Sequence, residues 1–546
     1  MLNFLKSVKF RPNSYQLNSF KHMKIQLNKI LFLLLTCISL SATSQKIRIK
    51  VNGQKDTTVY LIKYFGQKLF YADTAELKNG EVVFEGKKQQ PGIVGLYLPG
   101  QRYFEFVYNN EDIQLETTAP DFMGTMKVKK SAENTIFIPY VTFISSKKSR
   151  INTLAEERAK LKNQDYKDLE YKNISDQIDG INTEVEDYQK LLIQNNQGKL
   201  VAKIVKMSME INIPEPPKND NGVIIDSTFK YKYYKKHYWD NVDLTDDALV
   251  NNPVFHNKME YYFGKNMIIQ HWDTVIAHAF DFCDRLNPKS KMYEYVVGWV
   301  TSTYGKSEIM GMDKVYLYML NRYYCTKNAE GKYPAPWVAD DKFGELCDNL
   351  KNKMNLVMGV RPPNLILRDT TDVTYRDLYS LKAEYTVLYF WDPECGHCKK
   401  TTPKLSRLYT EKLKARNIEV FAVGKAVGKD FEGWKKFIRD NNIKFINVAV
   451  TDKLYEIAKK EPEKLVPMFP GEKGKPTTLE SLNYQTTYDI FSTPIVYILD
   501  KDKNIIAKRV SISQIEDILD RLQNKTDAPK LFPPDPEEDE QMQKKD

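Results

Sequence analysis

Cysteine is scarce in this chain, with six in 546 residues. One of them, Cys37, falls in a segment expected to be removed. The remaining five (Cys283, Cys325, Cys347, Cys395 and Cys398) are too few, and odd in number, for a secreted fold stapled by disulfides. Cys283, Cys325 and Cys347 lie in helix-like sequence, where buried inert thiols are expected and one additional disulfide is open; no role is assigned to them. Histidine is equally scarce, with six. His271 and His278 stand near Asp273 and Asp281 but lack the i, i+4 spacing of a helical metal site, so they are expected to be structural and no metal is assigned. A large charge excess is missing too. Against 71 acidic residues stand 81 basic ones, for a net +10, and no basic cluster interleaved with aromatics makes a nucleic-acid face.

Long apolar runs are missing, with one short exception. ILFLLLTCISL, Ile30 to Leu40, is 11 residues long, against the roughly 20 that a membrane-spanning helix needs. A basic stretch opened by Met23-Lys24 precedes it, and Ala42-Thr43-Ser44 supply small residues before Gln45. This is the pattern of a secretory signal peptide over residues 1–44. The long basic lead of residues 1–22 makes Met23 the alternative start. Leu35-Thr36 fits poorly as the approach to an acylated Cys37, so simple cleavage is expected, and membrane attachment would require lipid on Cys37. The mature chain is therefore expected to be exported and soluble, in the periplasm or cell envelope of a Gram-negative bacterium.

A chain of this length exceeds one core, and about two to four domains are expected. From Lys46 the segments KIRIKV, TTVYLIKYF, EVVFEG, GIVGLYLP, YFEFVYN and IQLET read as strands, separated by Asn52-Gly53, Asn79-Gly80 and Pro99-Gly100. They predict a small antiparallel β domain, sandwich-like, over residues 46–120. An all-α region follows over residues 131–358. Its first part, with apolar residues at three- and four-residue intervals, predicts a helical hairpin or arm broken at Pro214-Glu215-Pro216-Pro217. Its second part is rich in aromatics, as in FKYKYYKKHYW, for which interior packing is expected. Arg361-Pro362-Pro363 opens a domain expected to run over residues 361–523. The polar residues 524–546 are expected to form a disordered acidic tail.

YTVLYFWDPECGHCKKTTP, Tyr385 to Pro403, is the stretch that carries chemistry. A strand runs through Trp391 into a short turn, and Cys395 and Cys398 stand where a helix begins. Free backbone N–H groups converge at a helix start and favour thiolate over thiol, so Cys395 is expected to be the more acidic sulfur. Cys398, one turn on, shares its face and can close a disulfide with it. Half of a zinc site is the bland alternative, but no further ligands lie nearby. An inert buried pair is the other.

These residues, with Pro403 and the Thr493-Pro494-IVYILD strand, resemble the thioredoxin superfamily over roughly residues 360–523. The entry PNLILRD, a helix-like YRDLYSL and YTVLYFW are similar to exported TlpA/ResA-like thioredoxins. The resemblance implies an α/β thioredoxin fold at the C-terminus and a cis Pro494. It also implies a thiol-disulfide oxidoreductase acting through Cys395, Cys398 and His397. Substrate contact is implied at Trp391, Gly396, Thr493 and Pro494. The electron carrier would be the Cys395–Cys398 disulfide itself, with no further cofactor. Partners would be protein thiols or disulfides, plus a redox donor or acceptor. His397, at the helix start, can carry charge that stabilises the Cys395 thiolate. Gly396-His397 is the dipeptide of protein disulfide isomerases, and Tyr389 stands where thioredoxins bury an acid. Proton transfer to Cys398 is left to water or Glu394. Two alternatives stay open. A peroxiredoxin-type peroxidase would want Thr or Ser where Asp392 stands, and a non-catalytic cell-envelope binding or assembly protein would make the redox domain incidental.

Overall fold

The computed structural model describes residues 45–161, 164–166, 168–427, 430–469 and 472–543. The expected leader, Met23 and Cys37 lie outside the described residues. The chain divides into two compact units, one up to Lys258 and one from Met259.

Eight strands open the first unit: β1 (Lys46–Asn52), β2 (Thr57–Phe65), β3 (Lys68–Leu77), β4 (Glu81–Glu85), β5 (Gly92–Leu98), β6 (Arg102–Tyr108), β7 (Ile113–Thr118) and β8 (Lys127–Lys130). They form two four-stranded sheets, ordered β4-β1-β7-β8 and β3-β2-β5-β6. Ile47, Ile49 and Val51 alternate inward from β1 and meet Leu61, Leu96 and Phe106 in one core. Three features depart from the expected all-antiparallel domain ending at residue 120. β1 and β7 pair in parallel, Ile49 opposite Leu115. β8 lies beyond that end and pairs with β7. β3 is a strand not among those expected, because as a sheet edge it lacks period-two burial and its Leu69, Phe70 and Tyr71 stay exposed.

Helices α1 (Asn134–Ala159) and α2 (Leu169–Asn195) pack on each other through Leu154, Ile174 and Ile178. α3 (Leu200–Ser208) starts on Glu133, whose carboxylate accepts the backbone N–H of Leu200 at 3.0 Å and of Val201 at 2.9 Å. This satisfies two of the donors a helix start leaves free. α4 (Phe229–His237) corrects the expectation of interior packing, since it buries none of its residues. Only Tyr238 and Trp239, just past its end, enter a core. α5 (Pro253–Phe263) follows.

In the second unit α6 (Trp272–Asp284), α7 (Lys291–Gly305), α8 (Asp313–Leu320), α9 (Lys342–Cys347) and α10 (Leu350–Met354) form a helical layer. A disulfide joins Cys325 to Cys347, while Cys283 is a buried free thiol. The hydroxyl of Tyr262 lies 3.0 Å from Nδ1 of His278, and the ring of His271 stacks on Trp272. Among the described residues no group of side chains is arranged to hold a metal.

The rest is an α/β domain: β9 (Ile366–Asp369), β10 (Tyr375–Asp377), β11 (Tyr385–Trp391), α11 (Gly396–Leu408), β12 (Ile418–Gly424), α12 (Asp430–Asp440), β13 (Ile446–Ala449), α13 (Asp452–Lys460), β14 (Ile495–Leu499), β15 (Ile505–Lys508), α14 (Ile512–Leu522) and α15 (Pro536–Gln543). The sheet order is β10-β9-β13-β12-β11-β14-β15. Tyr375–Asp377, expected as helix-like, is a strand because it pairs with β9. β11 lies inside the sheet, parallel to β12 and antiparallel to β14. It is buried on both faces, as a continuous apolar run predicts. Val387, Tyr389 and Trp391 enter the core that holds Cys398, and Leu388 and Phe390 enter the opposite one. Leu356 and Met358 belong to that second core, and the backbone of Gly359 and Val360 bonds to Ile505. The domain thus begins before the expected boundary at 361.

Residues 524–543 overturn the expected disordered tail. Leu531 and Phe532 pack on the core beneath α11. The fully buried Glu516 of α14 accepts their backbone N–H groups at 3.0 and 3.3 Å. Lys530 pairs with the equally buried Asp520 at 2.7 Å. On α15, Glu538 accepts the N–H of Ile512 at 3.1 Å and pairs with Lys404 of α11 at the same distance. Buried carboxylates require donors, and the tail supplies them.

Deleting residues 527–546 should therefore lower the unfolding free energy by about 1–3 kcal/mol, the cost of leaving buried acceptors unmet. Burial pushes the Asp520 pKa up, but Lys530 and Arg416 outweigh it, so the net shift is downward from 3.8. A depressed carboxyl contributes stability above its unfolded pKa and loses it as pH falls through the folded one. Denaturant unfolding should show the gap between full-length and truncated chains at neutral pH, narrowing below about pH 4. An equal gap at both pH values would count against the Asp520 pairing.

Candidate active site

β11 ends at Trp391, and after three intervening residues Cys395 caps the start of α11 in an extended conformation. Two bonds hold this turn: the N–H of Cys395 donates to the carbonyl of Asp392 at 3.1 Å, and that of Glu394 to the Asp392 carboxylate at 2.8 Å. The two sulfurs thus sit one helical turn apart, both as free thiols. They differ in surroundings. Cys395 is half-buried, whereas Cys398 has no exposed surface and belongs to the core under α11.

Burial is the largest single influence on each sulfur and opposes ionisation. At Cys395 it is outweighed by the backbone N–H of Cys398, by Thr493 and the Cys398 thiol, and by the backbone N–H of His397, and its pKa falls below the ordinary thiol value. At Cys398 burial, reinforced by the neighbouring Cys395, prevails over the Asp392 N–H at 3.5 Å and Thr493, and the pKa is pushed up to about 12. One sulfur is set to attack, and the other to hold its proton until a bond forms nearby.

The second half of the site arrives from the far end of the domain. The Thr493–Pro494 peptide is cis. The carbonyl of Thr493 accepts the Cys395 thiol at 3.2 Å. Both residues are half-buried, and Phe491, two residues earlier, is 74 % exposed. Cys395, Cys398, Gly396, Thr493 and Pro494 therefore converge. Gly396 is exposed, and a Cβ built on it would meet nothing within 4 Å, which leaves open surface beside the reactive sulfur.

Trp391 is corrected as a substrate contact. It is 1 % exposed, its ring packs 5.3 Å from Phe437, and it faces the core beside Cys398. The reason is the alternation of β11, which puts residues 387, 389 and 391 on one buried face. His397 is exposed on the first turn of α11, and its carbonyl accepts the hydroxyl of Thr401 at 3.0 Å. Tyr389 fills its position as a neutral group. It is fully buried, its hydroxyl lies 2.8 Å from that of Thr402 and 3.1 Å from that of Thr401, and burial drives its pKa far upward. Glu394 points away as a proton carrier: its side chain is 70 % exposed and pairs with Lys399 at 3.2 Å. The residue that sequence reading missed is Lys425. Its N–H donates to the carbonyl of Trp391 at 3.0 Å and its ammonium pairs with Asp392 at 3.3 Å, bracing the turn before Cys395. A lysine directly after the end of β12 was the available signal.

Residues 383–505 match a family model described as thioredoxin-like. Residues 45–137 and 182–332 match two domains of unknown function, DUF4369 and DUF5106. No curated protein matches the chain. Among solved structures, a domain of a possible thiol-disulfide isomerase from Cytophaga hutchinsonii is 35% identical, covering 31% of this chain and 96% of that one, with a TM-score of 0.24. A thioredoxin-like protein from Bacteroides caccae is 18% identical over 57% of this chain and 98% of its own, with a TM-score of 0.35. The thioredoxin domain of a thiol-disulfide oxidoreductase from Bacteroides vulgatus is 19% identical over 30% and 97%, with a TM-score of 0.23.

The asymmetry of the two thiols is directly measurable. In the reduced protein, iodoacetamide at neutral pH should modify Cys395 and spare Cys398 and Cys283, as read by peptide mass. The alkylation rate plotted against pH should level off below the ordinary thiol range. Modification of Cys398 ahead of Cys395 would reverse the assignment of nucleophile and partner.

Proposed function

The chain belongs, through residues 383–505, to the thioredoxin-like family, and on that premise we propose that it is an exported thiol-disulfide oxidoreductase exchanging disulfides with proteins. The observation that carries this reading is the juxtaposition at Cys395: a half-exposed sulfur at a helix start, touching the Thr493 carbonyl, with a buried Cys398 one turn behind it.

The Cys395 thiolate attacks one sulfur of a substrate disulfide. The substrate S–S bond breaks, its other sulfur leaves as thiolate and takes a proton, and a mixed disulfide forms. Cys398 then gives up its proton and attacks the Cys395 sulfur. The second substrate thiolate leaves, and the substrate has gained two electrons and two protons. The chain now holds a Cys395–Cys398 disulfide; a partner dithiol reduces it and is itself oxidised to a disulfide, and the same steps in reverse, starting from the oxidised pair, pass the disulfide to a substrate dithiol. The half-exposed Thr493 and Pro494 and the open surface at Gly396 form the substrate contact. Export rests on the signal-like pattern of residues 1–44. A peroxidase is disfavoured because the position three residues before Cys395 is Asp392, paired with Lys425, where a peroxide would need a Thr or Ser hydroxyl to orient it.

Insulin disulfide reduction driven by dithiothreitol should be lost in Cys395→Ser and kept in Cys283→Ala. Retained activity in Cys395→Ser would end the proposal. Thr493→Arg should slow insulin while sparing a small aromatic disulfide, and equal loss towards both would refute the substrate contact. His397 is proposed to bias the couple towards the dithiol. His397→Pro should make the pair more reducing by roughly tens of millivolts in a glutathione titration. An unchanged potential would leave the helix terminus as the sole activator.

A further inference from the structure

Residues 217–237 stand apart from the cores around them. Ile225 donates its N–H to the carbonyl of Pro217 at 3.0 Å, Asn219 donates to Val223 at 2.9 Å, and Gly222 to Asn219 at 2.9 Å. The Asn219 side chain accepts the N–H groups of Asn221 and Val223 at 3.1 and 2.9 Å. This is a built hairpin, and its outgoing arm carries three large aliphatic side chains in succession. Val223, Ile224 and Ile225 are 59, 47 and 67 % exposed. Such a run in water is costly, and a hairpin that holds its shape without burying it points to a surface that covers it.

What surrounds the aliphatic tip identifies the covering surface. Lys218 pairs directly across the hairpin from Ile224. Asp226, next to Ile225, pairs with Lys232 at 2.9 Å, which ties the hairpin to α4. α4 carries Lys230, Lys232, Lys235 and Lys236 and buries no residue. Tyr231 is 46 % exposed, with Lys235 at 5.4 Å from its ring. Residues 217–237 hold five lysines against two aspartates, Asp220 and Asp226. An aliphatic tip with Lys218 across from it, tied through Asp226 to a lysine- and tyrosine-rich helix, is what a bilayer interface with anionic headgroups accommodates: apolar atoms enter the acyl boundary, lysines meet phosphates, and tyrosine sits between. A protein partner would not require the positive surround.

We propose that the hairpin 217–225 and helix α4 form a docking surface for an anionic lipid bilayer, separate from the redox site and from any lipid on Cys37. The test uses the full chain and hydrogen exchange, so that attachment through residues 1–44 does not interfere with a local readout. Vesicles of phosphatidylcholine with phosphatidylglycerol should protect amides in residues 217–237, and vesicles of phosphatidylcholine alone should not. Added salt should weaken the protection, since exposed charges are screened within about 10 Å at 0.1 M. I224D/I225D should abolish it. K230E/K236E should weaken it about thirtyfold or more. Both variants should keep the insulin activity of the parent, which separates this surface from the proposed reaction. Three results would overturn the proposal: no protection with anionic vesicles, equal protection with neutral ones, or protection that rises with protein concentration without lipid, which would assign the face to a second copy.

Discussion

The asymmetry between two sulfurs one helical turn apart is the constraint that the redox domain is built to maintain. At Cys395 the unpaired N–H groups of a helix start meet a sulfur that still reaches solvent. At Cys398 the helix has turned the next sulfur into a dry core. Neither condition is a property of Cys-x-x-Cys by itself. The first requires that β11 end where α11 begins. The second requires that α11 lie flat on a sheet with apolar side chains beneath it, which Val387, Tyr389 and Trp391 provide from β11. A one-residue slip of that strand would exchange its two faces and put Leu388 and Phe390 under the helix. Pairing on both sides, to β12 and β14, forbids the slip.

Tyr389 changes how the second sulfur works. With its pKa pushed up to about 12 by burial, Cys398 holds its proton at pH 7. In the proposed cycle it has to lose its proton as the mixed disulfide forms. The position beneath it holds a neutral phenol bonded to two threonine hydroxyls, and the acids flanking the turn are committed elsewhere, Asp392 to Lys425 and Glu394 to Lys399. The proton is therefore left to solvent at the open surface by Gly396. Resolution is therefore the step of the proposed cycle that this arrangement does least to assist.

What was legible in the sequence is what neighbouring residues dictate. The strand–turn–helix at Cys395, the Thr493–Pro494 strand and the inward alternation of β1 follow from local preference and period. What was hidden depends on partners far away in the chain. Cys325 and Cys347 are 22 residues apart in helix-like sequence that left a disulfide open without choosing its partners, and only the fold brings them together. β3 carries exposed aromatics because it is an edge, which no period of its own reveals. The burial of Trp391 was readable, since it continues the Val387–Tyr389 alternation, whereas the family resemblance implied a substrate contact there. The tail looked disordered because its composition is polar. Its order comes from Glu516 and Asp520, which in sequence look like ordinary polar positions of an amphipathic helix.

Those two acids connect the tail to the chemistry. Glu516 pairs with Lys412, and Asp520 with Arg416 at 2.7 Å, on the helical turns that continue α11 past Leu408. Both carboxylates then take their remaining donors from the tail, through Leu531, Phe532 and Lys530. Buried ion pairs add little net stability compared with apolar packing, because desolvation cancels much of the attraction. What they impose is geometry: a charge with no exposed surface tolerates only the setting in which its partners reach it. Lys404 on α11, held by Asp535 and Glu538, extends the same restraint one turn and a half beyond Cys398. Rotation of α11 about its axis would move Cys398 toward solvent and Cys395 away from Thr493, and it would also pull Lys412 and Arg416 from acids that have no water to fall back on. The rotational setting that distinguishes the two sulfurs is thus locked at the opposite end of the helix, by residues more than a hundred positions along the chain.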